Sequence, residues 1–397
     1  MINISDKSTC CGCAACEQIC VHKSITMQED NEGFLYPHVD KTTCVDCGLC
    51  NKVCPVLNRY EVPVKKPLSY ACKSHDDSIV DKSSSGGLFT VLGENIIRKG
   101  GVVFGARFDS NWNVVYDYTE SIEGLASFRG SKYVQGVVGD AFSHTKHFLQ
   151  QGRLVLFTGT PCHISGLNHY LKKNYENLIT IDFVCHSIPS PKVWRDYLHN
   201  VGKGQTIGYV TFRDKSFGWD NYGLRIENDK HEVLDKGGHK DNLYMKAFSS
   251  NLIVRPSCFN CPARNYTSGS DIMIADCWGF NSYHPGLNDN RGMSLVLPKT
   301  QKGLTLFHEL KSSLFVLQIP YDEVEEETNH KPIIKSATPN PYREVFFKEY
   351  SSSNLLHNME KYIHKGEVRK KTISRIKSTV RFFIGDRIVK IIKKRHD

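Results

Sequence analysis

Nine of the fifteen cysteines in this 397-residue chain fall between residues 9 and 55. Eight of them form two runs with the spacing C-x2-C-x2-C-x3-C: Cys10, Cys13, Cys16 and Cys20, then Cys44, Cys47, Cys50 and Cys54. Thiols in such numbers form disulfides, bind zinc or bind iron–sulfur clusters. The N-terminus MINISDKSTC lacks the basic and apolar regions of a secretory signal, so we expect a cytoplasmic protein in a reducing compartment. Disulfides are therefore disfavoured, and metal binding is predicted.

The interval between these cysteines favours iron–sulfur clusters over zinc. Three thiolates on one tight loop can bind three corners of a cubane, and a fourth thiolate from the other run completes the site. Zinc sites typically use C-x2-C pairs, which leave a third thiol at the same interval without a role. The runs match those of bacterial two-cluster ferredoxins and predict two [4Fe–4S] clusters. Cluster one is expected to be bound by Cys10, Cys13, Cys16 and Cys54, and cluster two by Cys20, Cys44, Cys47 and Cys50.

Two residues depart from the ferredoxin pattern. Cys11 lies outside the spacing and is predicted to have no ligand role, and Val21 stands where a proline usually follows the first run. Between the runs, the segment SITMQEDNEGFLYP alternates apolar residues around a polar Asn-Glu-Gly, which predicts a β-hairpin. Residues 1–58 are therefore predicted to form an α+β domain of the bacterial ferredoxin type.

The 339 residues after residue 58 are enough for one large or two ordinary domains. Residues 59–68 are rich in proline and charge and are predicted to be a linker. Beyond them, strand-like and helix-like segments alternate, which indicates an α/β architecture. The apolar runs RLVLFTG (153–159) and LITIDFVC (178–185) flank the helical segment ISGLNHYLKK and predict a β-α-β unit with two buried parallel strands. After the linker we predict three parts of the chain: residues 69–150, residues 151–345, and a basic helical tail over residues 346–397.

Four further cysteines stand where an α/β sheet would bind a ligand. Cys162, in GTPC, follows the first of the two apolar strands, and Cys185, in DFVCH, closes the second. Ligands gather at the carboxyl ends of strands in open α/β sheets. Cys258 and Cys261 form a C-x2-C pair in CFNCPAR. Taken alone, these residues leave three interpretations open: zinc, an iron–sulfur cluster, or buried thiols without a ligand.

Six motifs in the second part of the chain resemble one known family. They are, in order, SSSGGLFT, RGSKYVQ, GTPCH, DFVCH, CFNCPAR and SDIMIADCWGF. Together they are similar to the β-subunit family of coenzyme F-420-reducing hydrogenase and dehydrogenase, over roughly residues 69–310. The resemblance implies an iron–sulfur flavoprotein that binds FAD and a third [4Fe–4S] cluster. It places the ligands of that cluster at Cys162, Cys185, Cys258 and Cys261, and leaves Cys277 as a packing thiol.

The resemblance also assigns flavin contacts to three segments. Serine and glycine before a helix suit phosphate binding at the helix N-terminus, although an ordinary serine-capped helix has the same pattern. The cations of FRGSKYVQ suit a pyrophosphate or a reduced flavin, although solvated surface charge is a common alternative. No G-x-G-x-x-G follows a strand, so a Rossmann nicotinamide site has no support. The predicted FAD contacts are Ser84, Ser85, Gly86, Gly87, Thr90, Arg129, Gly130, Ser131, Lys132, Tyr133, Gln135, Gly159 and Thr160.

These features predict an oxidoreductase that relays electrons between [4Fe–4S] clusters and FAD to reduce or oxidise a two-electron substrate. The alternative is an electron-transfer subunit that feeds a separate catalytic partner, with zinc at the C-terminal cysteines. The expected partner is a redox protein or a small electron donor or acceptor. No catalytic residue can be assigned from the sequence. His163 and His186 follow cluster cysteines and are candidate proton donors, or they form hydrogen bonds to cluster sulfur.

The end of the chain is strongly basic. Residues 365–397 contain twelve Lys/Arg and three Asp/Glu, a net charge of +9 that equals the net charge of the whole chain. Apolar residues recur there at three-to-five-residue steps, which predicts an amphipathic helix. We expect it to contact a membrane surface on the inner face or an acidic partner, or to pack on its own domain. Binding of this segment to nucleic acid is the least favoured alternative, because the sequence contains no recognised nucleic-acid-binding motif.

Overall fold

The computed structural model describes residues 1–61, 67–326 and 331–369, together with residue 372. Its strands are β1 Ile25–Glu29, β2 Leu35–Val39, β3 Ser69–Ser74, β4 Val102–Phe108, β5 Val114–Thr119, β6 Val155–Gly159, β7 Leu178–Phe183, β8 Ile207–Asp214, β9 Gly223–Asn228, β10 Val233–Gly238, β11 Ile272–Asp276, β12 Ser294–Pro298 and β13 Leu314–Ile319. Its helices are α1 Ala15–Gln18, α2 Leu49–Lys52, α3 Asp77–Asp81, α4 Leu88–Arg98, α5 Ala141–Gln150, α6 Pro161–Leu171, α7 Pro191–Gly202, α8 Leu243–Ser249, α9 Phe280–Tyr283, α10 Gln301–Glu309, α11 Tyr321–Glu326, α12 Lys331–Ile334, α13 Arg343–Lys348 and α14 over 355–369. Short 3-10 helices include Glu123–Phe128 and Pro256–Asn260.

The N-terminal cysteine runs fold into two matching turns around a hairpin. The hairpin is confirmed, because β1 pairs with β2 in antiparallel register from Ile25 opposite Val39. Each run leads into a single helical turn, α1 or α2, that begins after a residue in the left-handed conformation and contains the third cysteine of the run. The two turns contact each other, which brings the two runs together.

The larger part of the chain is built on one eight-stranded mixed sheet, in the order β13-β3-β12-β11-β7-β6-β4-β5. Its centre is parallel: β4 pairs with β6, β6 with β7, and β7 with β11. The outer strands pair antiparallel to their neighbours. The predicted β-α-β unit is confirmed as β6-α6-β7. The helix starts earlier than the sequence indicated, at Pro161, because proline is well tolerated in the first turn of a helix.

Helices cover both faces of this sheet. Successive side chains of a strand point to opposite faces, and the apolar side chains on both faces must be buried. Phe157 of β6 packs on one face with Phe142 of α5 and Leu167 of α6. Its neighbour Leu156 packs on the other face with Leu92 of α4. The apolar runs of the sequence thus become strands buried on both sides, whose carboxyl ends open on a common edge. This mixed α/β architecture with an N-terminal ferredoxin-like region confirms the predicted fold class at that level.

A second core lies around the three-stranded sheet β10-β9-β8 and helices α7 and α8. The helix α14 contributes Leu355, Met359 and Ile363 to this core, and all three are buried. The predicted basic amphipathic stripe lies outside the described residues, which end with 365–369 and residue 372 of that segment. The central part of the predicted linker, residues 62–66, also lies outside them. Within the described parts of the chain, no helix is both long and apolar enough to cross a bilayer.

Candidate functional site

The four cysteines predicted to bind cluster two line one cavity. Cys20, Cys44, Cys47 and Cys50 surround a space of about 320 Å³, part of which is open to solvent. Backbone amides point at two of these sulfurs: Ile2 N donates to Cys50 Sγ at 3.2 Å and Ser24 N to Cys20 Sγ at 3.3 Å. Such N–H···S bonds are among the factors that set cluster potentials. Cys47 is exposed, so this site reaches the protein surface.

The cysteines predicted to bind cluster one also lie together, on the side of the ferredoxin module that faces the large sheet. Burial raises the pKa of Cys16, and the neighbouring thiols of Cys10 and Cys54 raise it further. Cys13 packs against α6. A Cβ atom on Gly166 would lie 2.8 Å from Cys13 Cβ and 2.9 Å from its Sγ, so α6 needs glycine for this approach.

Cys11, which the sequence left without a ligand role, lies at the contact between the two modules. It is 4% exposed and packs in one buried cluster with Cys13 and Cys162, and the thiol of Cys13 raises its pKa while that of Cys162 lowers it. One buried cysteine therefore lies beside a predicted ligand of cluster one and a predicted ligand of the third cluster. The ferredoxin spacing carried no signal for this position, because the contact depends on how α1 packs against α6.

The third cysteine set, Cys162, Cys185, Cys258 and Cys261, is brought together from three places in the chain. Cys162 lies in the first turn of α6, Cys185 follows β7, and the other two lie in and just after the 3-10 helix Pro256–Asn260. Burial raises the pKa of Cys185, Arg264 lowers it, and the nearby thiols of the other three raise it. Burial, with the thiols of Cys261 and Cys162, raises the pKa of Cys258 to about 12.

Polar groups already surround the third cysteine set. Ile188 N donates to Cys258 Sγ at 3.3 Å, and Thr160 Oγ1 lies 3.2 Å from Cys162 Sγ. Arg264 donates to the backbone oxygens of Cys185 and His186 and fixes that loop. Among the described residues, no three Cys, His, Asp or Glu side chains have the geometry of a single-ion site. Four sulfurs at the corners of a cubane lie farther apart than the ligands of one ion. Four cysteine thiols are the donor set of a [4Fe–4S] cluster, and tetrahedral zinc can use the same set.

A second cavity opens beside the third cysteine set, at the carboxyl ends of β6 and β7. Its volume is about 310 Å³ including open solvent. We call it the edge pocket. Three predicted flavin contacts line it: Lys132, Gln135 and Thr160. The other lining residues are Ala106, Val114, Tyr116, Val134, Gly136, His163, Phe183 and Ile188.

Lys132 places a buried amine in the wall of the edge pocket. Its Nζ donates to the backbone oxygens of Arg129 and Gly130 at 3.0 and 3.1 Å. Burial lowers the pKa of Lys132 to about 7, because the charged form loses its hydration. Lys132 is therefore a partly buried amine that donates to the backbone rather than a freely solvated surface charge. An anionic group bound next to this amine would favour its protonated form.

Two buried polar atoms near the edge pocket have no hydrogen-bond partner among the described residues, His163 Nε2 and Gln135 Nε2. Burial, and then the charge of Arg255, lower the pKa of His163 to about 4, so its ring is neutral at pH 7. His163 Nδ1 lies 2.8 Å from the hydroxyl of Tyr116, which fixes the ring. The edge pocket thus combines polar atoms without hydrogen-bond partners, a buried amine and apolar walls. This combination can bind a flat heterocycle with polar edges.

The other predicted flavin segments are brought together, but part of their chemistry is used for packing. Ser84 Oγ accepts from Ser131 N at 2.8 Å, so the serine–glycine loop (83–87) touches the loop that contains Lys132. By contrast, Ser85 Oγ donates to Met293 O at 2.7 Å. A Cβ on Gly86 would lie 2.4 Å from Cys72 O, so this glycine lets the loop pack on β3.

The remaining predicted contacts lie around these two loops. Gly87 caps α4, Thr90 Oγ1 accepts from Arg129 Nε at 3.1 Å, and the Gly159 backbone ends β6. Tyr133 packs its ring on Phe248. Gln135 turns away from the serine–glycine loop, because its Oε1 accepts from Arg255 and its Nε2 lies against Gly12 of the ferredoxin module.

Two buried arginines near the site were not predicted. Arg213 of β8 forms a two-pronged ion pair with Asp276, at 2.7 and 3.1 Å, and donates to Ser84 O at 2.6 Å. It thereby ties the serine–glycine loop to the carboxyl end of β11. Arg255 joins the ferredoxin module to the large sheet and is fully buried. A lone arginine in the sequence gives no sign of burial, so neither role could be found from motifs.

Two regions of the chain match models of known protein families. Residues 152–323 match the family model for the C-terminal part of the coenzyme F420 hydrogenase/dehydrogenase beta subunit, and residues 9–58 match the 4Fe-4S dicluster domain. No curated protein matches the chain. Among solved structures, a chain of the F420-reducing [NiFe] hydrogenase complex from Methanosarcina barkeri, studied by xenon derivatisation, aligns with 15% identity and a TM-score of 0.44, over 79% of this chain and 95% of that chain.

The matched domains and the cysteine content define an iron–sulfur electron-transfer protein of the oxidoreductase class. Residues 152–323 match the coenzyme F420 hydrogenase/dehydrogenase beta-subunit family, and a 4Fe-4S dicluster domain lies in front of them. The family resemblance inferred from the six motifs is thereby confirmed, as is [4Fe–4S] binding by the N-terminal region.

Proposed function

We propose that this protein is a self-contained iron–sulfur flavoprotein reductase. Electrons enter at cluster two, pass through cluster one to a third [4Fe–4S] cluster, and reach FAD in the edge pocket. The observation that carries the proposal is the position of Cys11, which packs in one buried cluster with Cys13 and Cys162. This contact joins a predicted ligand of cluster one to a predicted ligand of the third cluster within one chain. An electron-transfer subunit that passes electrons to another protein has no need of this internal route.

The order of the centres follows from their surroundings. The cluster-two cavity is lined by ferredoxin residues and opens to solvent. Cluster one faces α6, and the third cysteine set begins in the first turn of the same helix. Thr160 and His163, on either side of Cys162, line the edge pocket. The four predicted centres thus follow one another from the surface of the ferredoxin module to the edge of the large sheet.

The residues of the edge pocket fit the isoalloxazine end of FAD. A flavin exchanges single electrons with clusters and two electrons with a substrate. In this pocket Lys132 would face negative charge on the ring, while His163 Nε2 would gain a hydrogen-bond partner. The serine–glycine loop and Arg129 would bind the pyrophosphate. Phe183, which is 39% exposed, marks the open side of the pocket where a substrate would approach.

The metal content of anaerobically purified protein tests the third cluster. Three cubane clusters correspond to about twelve iron and about twelve acid-labile sulfide per chain. We expect that ratio, with no stoichiometric zinc, in a combined iron, sulfide and zinc assay. About eight of each with one zinc would instead support the alternative, a zinc-containing subunit that feeds a separate partner.

Substitution of Lys132 tests the flavin site. Lys132→Met removes the amine and keeps most of the apolar stem, so we expect FAD occupancy to fall about tenfold while the N-terminal cluster signals persist. Lys215→Met is a matched control, because Lys215 also donates to backbone oxygens, those of Val80 and Arg291, and burial lowers its pKa to about 8. Lys215 does not line the edge pocket. Equal FAD loss in both variants would show that a buried lysine supports the fold rather than the flavin.

A further inference from the structure

Two exposed valines lie beside the cysteines of the cluster-two cavity, and we call them the valine patch. Val21 follows Cys20 and is 76% exposed, and Val45 follows Cys44 and is 61% exposed. Valines are usually buried, and these two flank cysteines that line the same cavity. Val21 also replaces the proline expected after the first run. Exposed apolar residues beside a redox centre are typical of an interaction site.

Three lysines surround this patch. Lys23 N donates to Cys20 O at 3.0 Å, which places Lys23 in the turn after that cysteine. Asp40 N donates to Ser24 O at 2.8 Å, so Lys41 follows the opposite strand beside Lys23. Lys52 ends α2, two residues after Cys50. All three lysines are exposed, and none forms an ion pair within the described residues.

Of the nearby carboxylates, Asp46 is paired with a cation, whereas Asp40 keeps its charge and offsets one of the three lysines. Asp40 Oδ1 accepts from the backbone and hydroxyl of Thr42, at 2.8 and 2.6 Å, and Asp46 pairs with the amino group of Met1. The positive charge is also a local feature rather than a property of the whole chain. The chain has a net charge of +9, residues 365–397 account for +9, and the first 364 residues are therefore neutral.

We propose that Val21, Val45, Lys23, Lys41 and Lys52 form a docking face for a small acidic electron-carrier protein. The valines would form the apolar centre of a transient interface, from which water is excluded. The lysines would attract and orient an acidic partner. The exposed Cys47 lets the partner's redox centre approach cluster two. This inference rests on the proposed function only in taking cluster two as the entry point for electrons.

The test compares reduction by a protein with reduction by a small uncharged reductant. The triple variant Lys23→Glu, Lys41→Glu and Lys52→Glu is mixed with a reduced acidic bacterial ferredoxin in a stopped-flow instrument. Bleaching of the N-terminal clusters is followed in the visible range. We expect the second-order rate constant to fall at least about tenfold at low ionic strength, since steering contributes 10- to 1000-fold. Photoreduced 5-deazariboflavin, which is uncharged, should reduce wild type and variant at the same rate.

A second triple variant controls for net charge. Lys203, Lys230 and Lys240 are exposed and lie at the end of α7 and in the turns on either side of β10. Their replacement by Glu changes the net charge equally and should leave the ferredoxin reaction unchanged. Equal rates in wild type and the first variant, or an equal loss in the control, would overturn the docking face. Because cluster bleaching is the readout, this outcome does not depend on whether FAD occupies the edge pocket.

Discussion

Replacing Cys185 with alanine should stop electrons from reaching the flavin while the two N-terminal clusters remain reducible. Cys185 follows β7 and lies near the other three thiols of its set, so its loss would leave one corner of the proposed third cluster without a protein ligand. We expect about four of twelve iron atoms to be lost. With the intermediate centre gone, flavin reduction by dithionite-reduced clusters should slow at least about 100-fold, since transfer rates fall steeply with distance. Stopped-flow absorbance resolves the two steps.

Cys11→Ala provides the matched cysteine control. Cys11 is buried against the same group of thiols, yet it is predicted to bind no iron. This variant should keep all of its iron and should slow the step between cluster one and the third cluster far less than Cys185→Ala does. Loss of four iron atoms from Cys11→Ala would show that the ligand sets are assigned incorrectly. Rapid flavin reduction in Cys185→Ala would contradict the proposed route.

The sequence predicted those parts of the protein that depend on local spacing. The cysteine runs specify their own loops, and the alternation in SITMQEDNEGFLYP was sufficient to predict β1 and β2. The apolar runs of β6 and β7 predicted their parallel pairing, because such runs are typical of strands buried on both faces. The boundary of α6 was less accurate. Residues 161–163 belong to the helix, since the proline that follows the strand begins it.

The contacts between modules could not be predicted in the same way. Whether Cys11 faces solvent or Cys162 depends on the packing of α1 against α6, and nothing in either segment encodes that packing locally. At Gly86, by contrast, the sequence did carry a local signal, but the signal did not identify the neighbouring group. Its motif suggested close approach to a phosphate, whereas the structure shows close approach to Cys72 O. A glycine in a motif indicates that another group lies close to the backbone at that position. Only the tertiary fold shows whether that group belongs to a ligand or to the protein.

Arg255 is the residue on which the junction between the ferredoxin module and the large sheet depends most. Its guanidinium is fully buried and donates to Cys10 O at 2.8 Å, Leu35 O at 2.9 Å and Gln135 Oε1 at 3.0 Å. It also lies 4.1 Å from the ring centre of Tyr36. The first two acceptors and Tyr36 belong to the ferredoxin module. One side chain thus fixes the loop of cluster one against the third cysteine set, three residues before Cys258.

Arg255→Met should therefore both destabilise the protein and slow internal electron transfer. Each buried acceptor left without a donor costs about 1–3 kcal/mol, so we expect a loss of roughly 3–5 kcal/mol in the free energy of unfolding. Removal of a positive charge close to Cys10 should also shift the potential of cluster one to more negative values, because net charge near a cluster sets its potential. Denaturant titration measures the first effect and a redox titration followed by EPR the second.

Arg343→Met separates stability from electron transfer. Arg343 is also buried and also reaches the ferredoxin module, through an ion pair with Glu32 at 2.5 Å and a hydrogen bond to Val254 O at 2.7 Å. Glu32 lies in the hairpin turn, away from the cysteine loops. We expect this variant to lose stability while the potential of cluster one and the rate between cluster one and the third cluster stay unchanged. If Arg255→Met behaves in the same way, Arg255 is a structural tie alone. A shifted potential in Arg255→Met alone would mean that its charge also sets the energy of cluster one.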